Sequence, residues 1–270
     1  MLEEIDVKSW EEFENKLEKL RGELKTAAGA ESQLWFRGQG NTCWPLATTL
    51  ERNTQGAMPF KDYYLLIHRV KPQIESFTGK EWAIPTYPEV AEGVKNYDYP
   101  RLHLDGWPGY EYLAYLRHHG FPSPLLDWSR SSRVAAYFAF CNAPDDHVKC
   151  ASIFVFSEER FTSRTNVAPN IFRLGPYLKT HRRHFLQQSD YTLCLSFQNE
   201  WQFAPYAEVF QRSNHHQGVY RKFNIPSSER MKVLRLLDEY NLNELSLFES
   251  EEALMKTLTF RELPKLLAGR

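Results

Sequence analysis

Leu34-Trp35-Phe36-Arg37-Gly38-Gln39-Gly40 is the stretch whose reading decides the fold. Three apolar residues with β preference deliver one arginine and then a glycine. That is the pattern of a buried strand ending where the backbone must turn or approach another group closely. Burying such an arginine is costly unless it meets an anionic or multiply hydrogen-bonding partner. An internal carboxylate would make Arg37 structural, and a phosphate or ribose would make it a ligand contact.

Working outward, Ser9-Trp10-Glu11-Glu12 has capping-box spacing, and Phe13, Leu17, Leu20 and Leu24 follow on one helical face. An amphipathic helix therefore precedes the Arg37 strand, with a polar exit over 27–32. Downstream, a helix is expected from about Lys61 to Val70, ended or bent by Pro72. Gly79 to Gly109 is rich in Pro, Gly, Tyr and Trp without a period and reads as a long loop. Its aromatics (Trp82, Tyr87, Tyr97, Tyr99, Trp107) would pack the loop down or stack on a base. Tyr110 to His118 returns to helical spacing through Leu113, Ala114 and Leu116. After Pro122 and Pro124, Leu125 to Trp128 reads as a short buried strand. The nearly all-apolar Val134–Phe140 follows as a buried helix, with Ser129, Ser131 or Ser132 as its cap.

Further strands are expected at Ser152–Phe156, Tyr191–Leu195 and Tyr220–Pro226. Ser227 or Ser228 would cap a helix turning Met231, Leu234, Leu237 and Tyr240 inward, and Ser250 would start a last one. The sum is an α+β fold with a mixed or antiparallel sheet core and flanking helices. We expect one domain over 1–270, with an N-terminal helical segment at 1–30 and a C-terminal helical extension at 226–270.

A formal charge of −1 gives no global argument for nucleic acid or membrane. Cys43, Cys141, Cys150 and Cys194 lack CxxC spacing, which suits reduced thiols. The acidic N-terminus does not resemble a signal peptide, and no apolar run would span a bilayer, so a cytoplasmic location without a membrane partner is expected. GxGxxG after a strand, GxxxxGK[ST], HExxH and GxSxG are all absent, which removes support for Rossmann, P-loop, zincin and α/β-hydrolase chemistry. The pairs His118/His119, His181/His184 and His215/His216 lack further ligands at metal spacing, and no metal is expected. From Arg160 to Ser189 no acidic residue occurs, while Arg160, Arg164, Arg173, Lys179, Arg182 and Arg183 do, with His181 and His184 beside them. That concentration reads either as a solvated basic face or as a site for a polyanion such as a dinucleotide or nucleic acid.

Three separated stretches together resemble the FRG domain, a family named for its Phe-Arg-Gly motif, here Phe36-Arg37-Gly38. The second is His119-Gly120-Phe121-Pro122-Ser123-Pro124-Leu125-Leu126-Asp127-Trp128-Ser129 with the following Ala135-Ala136-Tyr137-Phe138-Ala139. The third runs from Arg183 through Gln187 and Gln188 to Thr192. Pro124, Ser189 and Glu249 stand where the family often has Arg, Gly and Pro. The order of parts is also distantly similar to ADP-ribosyltransferases, which implies a split sheet and NAD as substrate. On that resemblance Arg37, Ser129 and Gln188 would be the catalytic group, Gln188 standing in the place of a carboxylate. Gly38, Gln39, His119, Asp127, Trp128, Gln187 and Arg183 would hold the cofactor, with Trp128 stacking on nicotinamide. Asp127, Asp190, Glu200 or Glu208 could supply the missing negative charge. The implied activity is an NAD-dependent ADP-ribosyltransferase-like enzyme acting on a nucleic-acid or protein acceptor, such as a bacterial toxin or anti-phage effector. The other reading is a non-catalytic nucleotide or nucleic-acid binding module.

Overall fold

The computed structural model describes residues 2–24, 32–54, 56–95, 107–142, 147–158, 169–211 and 218–268. In chain order it begins with β1 (Leu2–Asp6), α1 (Trp10–Glu23), β2 (Trp35–Gln39), α2 (Thr49–Thr54), β3 (Met58–Pro59), α3 (Phe60–Thr78) and α4 (Tyr87–Lys95). Then come α5 (Tyr110–His118), β4 (Leu126–Ser129), α6 (Ser132–Phe140), β5 (Cys150–Glu158), β6 (Asn170–Arg173), α7 (Arg183–Leu186) and β7 (Ser189–Phe197). The remainder is β8 (Trp201–Phe203), α8 (Tyr206–Gln211), β9 (Gly218–Pro226), a 3-10 turn at Ser227–Glu229, α9 (Arg230–Glu239), α10 (Glu244–Phe248) and α11 (Glu251–Ala268). The fold is α+β. An open nine-stranded sheet runs β1-β9-β5-β2-β4-β7-β8-β3, with β6 also on β7, and only the β1–β9 pair is parallel.

The expected Arg37 strand is β2, and it sits in the middle of this sheet. Strand alternation sends Phe36 to one face and Trp35 to the other. On the first face Phe36 joins Ile153, Val155 and Phe223 under α1, α6 and α9. On the same face, over the other half of the sheet, Leu193, Leu195 and Phe203 carry α3 and α5 through Phe60, Tyr63 and Leu113. The opposite face holds Trp35, Leu126, Trp128, Phe154 and Phe156. Two helical layers thus cover one face with a seam between them, and β2 and β4 lie beneath that seam.

At the seam the sheet itself opens. β2 pairs with β5 along its whole length, but with β4 only at Phe36 opposite Ser129. Gly38 explains how α6 can crowd this point. A Cβ there would lie 1.8 Å from the Ala135 carbonyl and 2.6 Å from the Ala139 nitrogen. The strand can run under the helix because this residue has no side chain.

Several expectations are corrected. The N-terminal segment holds strand β1 ahead of its helix, because Leu2–Asp6 completes the edge of β9. Ser9 caps α1 by accepting from the Glu12 amide, but the Glu12 carboxylate takes the Lys8 amide, so the box is shifted by one residue. α3 runs through Pro72 to Gly79, whose φ of 67° ends it. Burial of Phe60, Tyr63, Tyr64 and Ile67 outweighs the one hydrogen bond that proline removes. The aperiodic 79–109 stretch contains α4, and its Tyr97 and Tyr99 lie outside the described residues. On α9 it is Val233, Leu234 and Leu237 that face inward, while Met231 and Tyr240 are exposed. A 3-10 turn rather than a serine cap precedes that helix. Ser131 caps α6, accepting from the Val134 amide. Gln187 and Gln188 precede β7, which starts at Ser189, and Gln188 takes a φ of 48°. No helix among the described residues is long and apolar enough to cross a membrane.

Candidate functional site: an arginine-lined cleft at the sheet opening

A strand carbonyl at a sheet opening needs a donor, since its neighbouring strand has moved away. The Asp127 carbonyl finds one in Arg37, whose Nη1 donates to it at 2.9 Å. The same Nη1 donates to the Asp127 carboxylate at 2.8 Å. Arg117, at the end of α5, donates to that same oxygen from Nη2 at 2.6 Å and from Nε at 3.2 Å. Arg37 is thus a guanidinium wedge between β2 and β4, paired with an internal carboxylate. Burial raises the Asp127 carboxyl, but the Arg117 and Arg37 charges outweigh it and hold the group well below its ordinary range. Arg117 is pushed up by Asp127, its largest influence, against burial.

Around this pair opens a cavity of about 390 Å³. Arg37, Arg52, Arg117 and Arg183 line it, and Asp127 is the one carboxylate on its wall among the described residues. Arg52 is pushed down from its ordinary value by burial and then by the charges of Arg37 and Arg117. Three buried polar atoms on the wall have no hydrogen-bond partner: Arg37 Nε, Arg183 Nε and Gln39 Oε1. Buried donors left without acceptors are rare, and each calls for a cause. An anionic ligand would supply acceptors for the two guanidinium donors, whereas Gln39 Oε1 is itself an acceptor. Trp44, Phe138, Tyr191 and Phe248 add aromatic surface, with the Arg183 guanidinium 5.3 Å over the Phe248 ring.

A histidine–tyrosine chain runs into the same wall. His184 Nε2 lies 3.2 Å from the Pro176 carbonyl, which can only accept, so Nε2 carries the proton and Nδ1 is bare. The Tyr191 hydroxyl, 3.3 Å away, then donates to that Nδ1 and accepts from His118 Nε2 at 2.8 Å. This assignment, made by satisfying every group, leaves Nδ1 of His118 unprotonated. Burial pulls the His118 pKa down to about 4, so the ring is neutral near pH 7.

The other expected site residues divide clearly. Gly38, Gln39, Ser129, Gln187 and Arg183 line the cleft with Arg37 and Asp127. The Ser129 hydroxyl is committed to structure: it donates to the Gln187 carbonyl at 2.8 Å and accepts from the Ser131 amide at 3.0 Å. The Gln187 amide donates to the Leu247 carbonyl, tying this wall to α10. Gln188 is exposed and outside the cleft, its carbonyl accepting from the Arg130 amide. His119 is also exposed and faces a separate groove, while its neighbour His118 faces the cleft. The Trp128 indole lies in the core of the opposite face, donating to Thr192 Oγ1 at 2.9 Å, so it does not stack in the cleft.

Asp190, one register step from Tyr191, also points to that opposite face and holds Trp35 Nε1 and Arg173. Glu200 and Glu208 are not on the cleft wall. The basic stretch does not form one patch. Arg160 and Arg164 lie outside the described residues; of the described arginines, Arg173 pairs with Asp190, Arg182 pairs with Glu249, and only Arg183 reaches the cleft. Arg117, Arg52 and Tyr191 carry no site signal of their own in the sequence, and His118 stands there only as half of a histidine pair without further metal ligands. Arg117 and His118 look there like the basic last turn that any helix favours. No group of three metal-ligating side chains occurs among the described residues.

Residues 32–147 match the family model of the FRG domain. That stretch carries β2, α2, α5, β4 and α6, hence Arg37, Arg52, Arg117, His118, Asp127 and Ser129, while Arg183, Gln187 and Tyr191 lie beyond it. Comparison with curated proteins and with solved structures finds no match.

Proposed function

We propose that the cleft of this FRG-domain chain binds the phosphates of a nucleotide, with NAD or a related dinucleotide as the ligand class. The observation that carries this is that four arginines line one cleft whose single carboxylate among the described residues engages only Arg37 and Arg117, with two guanidinium Nε atoms left without acceptors. Guanidinium groups present planar, paired donors that match phosphate oxygens. A cavity of about 390 Å³ takes part of a dinucleotide, and the rings of Trp44 and Phe248 offer flat surface for a base or for nicotinamide.

Within that reading, an ADP-ribosyltransferase-like activity on a macromolecule is favoured by Asp127 and His118. Breaking the nicotinamide bond passes through an oxocarbenium-like state that a nearby carboxylate stabilises. Asp127, held ionised, is the carboxylate on the wall that fits this task in place of Gln188. His118, neutral near pH 7, lines the same cleft. Titration calorimetry with NAD, ADP-ribose and AMP, alongside chromatographic detection of nicotinamide, tests both levels. Binding of NAD with nicotinamide release that disappears in Asp127→Asn supports transfer. Tight ADP-ribose binding without any release supports a binding module, and absence of nucleotide binding defeats both.

A further inference from the structure

A second concavity, of about 930 Å³, lies on the far side of α5, between the end of α3 and the segment around 177–181. Its composition differs from that of the arginine cleft. Trp82, Tyr115, His119 and Tyr177 supply rings, and Lys80 and Lys179 supply cations. The rings form a ladder: Trp82 and Tyr115 are 4.7 Å apart between centroids, and Tyr115 and His119 are 4.3 Å apart. Tyr177 lines the same groove with three-quarters of its surface exposed, a position in which a large aromatic contributes nothing to the core.

Two buried polar atoms here lack partners. Tyr112 is 1 % exposed and its hydroxyl meets no hydrogen-bonding group, and neither does the buried indole Nε1 of Trp82. Both residues line this groove. A purely apolar occupant would leave those donors as they are. A flat heteroaromatic would stack against the ladder.

We propose that this groove binds an unstacked base of single-stranded nucleic acid. A base has two π-faces and an edge rich in acceptors, and it can enter such a groove only when it is not stacked in a duplex. Lys80, with Nζ 5.8 Å from the Trp82 ring centroid, and Lys179 line the groove and supply cations for the backbone. Glu111 is turned to the Lys179 amide, and Glu81 leaves the groove close to neutral, so stacking rather than net charge holds the strand. The groove and the arginine cleft have no lining residue in common but are bordered by near neighbours in sequence. His118 faces one and His119 the other, and His181 and Arg183 do the same two residues apart. A strand in the groove therefore lies beside the cleft, as an acceptor would.

The groove stands on its own residues, and the test separates it from the cleft. The full chain is titrated by fluorescence anisotropy into a labelled single-stranded oligonucleotide and into the matching duplex, over a range of salt. The single strand binds and the duplex binds less. Tyr177→Ala weakens the complex about tenfold, the loss of one base–aromatic stack. The logarithmic salt slope is shallow, about −1.4 for two phosphate contacts on a single strand. Arg117→Ala leaves oligonucleotide binding unchanged while weakening nucleotide binding, and Tyr177→Ala does the reverse. Absence of binding, equal binding of duplex and single strand, or an affinity indifferent to both Tyr177→Ala and Lys179→Ala would overturn the proposal. So would binding of AMP in the groove with no oligonucleotide bound.

Discussion

Asp127→Asn separates the structural role of the central carboxylate from its competition with a ligand. The carboxylate takes three hydrogen bonds from two guanidinium groups whose side chains are only 11 % and 20 % exposed. Removing one partner of a fully buried ion pair costs about 3–5 kcal/mol. With 40 % of the Asp127 side chain exposed, screening lowers the expected loss to about 2 kcal/mol. In a chain of this size that corresponds to a melting temperature lower by about 4–8 °C. The same change frees Arg37 and Arg117 for a phosphate, so pyrophosphate and ADP-ribose should bind the variant more tightly than the wild type.

Thermal melts of both proteins against a pyrophosphate series read the two effects together. The variant starts lower and rises further with each decade of ligand. Acid supplies a third arm. Because the folded carboxyl lies below its ordinary value of 3.8, its contribution is complete above that value and is lost as the pH falls beneath it. The variant should lack this part of the acid limb. A variant that melts like the wild type, or that binds pyrophosphate more weakly, would refute the reasoning.

Other outcomes follow from single contacts. Gly38→Ala puts a Cβ into the α6 backbone and should abolish soluble folded protein, whereas Gly40→Ala, whose nearest neighbour is 3.7 Å away, should melt like the wild type. Carbon and nitrogen NMR of His118 should show the Nε2–H tautomer with a midpoint well below 6.5, near the value of about 4 set by burial. Its stabilising share is present above pH 6.5 and lost on descent toward pH 4, so a midpoint at 6.5 would break the proposed chain through Tyr191. Gln188→Gly should change stability by no more than about 1 kcal/mol, since glycine relieves the left-handed backbone. Nucleotide affinity measured by calorimetry should not change in that variant.

The parts of the fold legible in the sequence were those where local chemistry and burial agree. Leu34 to Phe36 is apolar because the strand is buried on both faces, and the apolar 134–140 run is a helix enclosed on most sides. β1 was not legible, because Leu2–Asp6 is an acidic edge strand defined by its partner β9 and not by its own pattern. Pro72 misled because tertiary burial of one face of α3 outweighs a local break. At the site, Arg37, Gly38 and Asp127 were readable as a motif, but the partner of Arg37 was one of several carboxylates in the sequence. Only the β4 register decides it, turning Asp127 to the cleft and Asp190 away. Arg52 and Arg117 come from helices whose approach to the sheet opening is a tertiary fact.

The central claim is that the arginine cleft holds a phosphate chain, and a crystal structure of the full chain with ADP-ribose tests it most directly. The diphosphate should lie within charge-assisted hydrogen-bond distance, about 2.8 Å, of the guanidinium groups of Arg117 and Arg183, with Arg37 Nε newly paired. An ADP-ribose seated elsewhere on the surface, or a cleft that stays empty at saturating ligand, would contradict it.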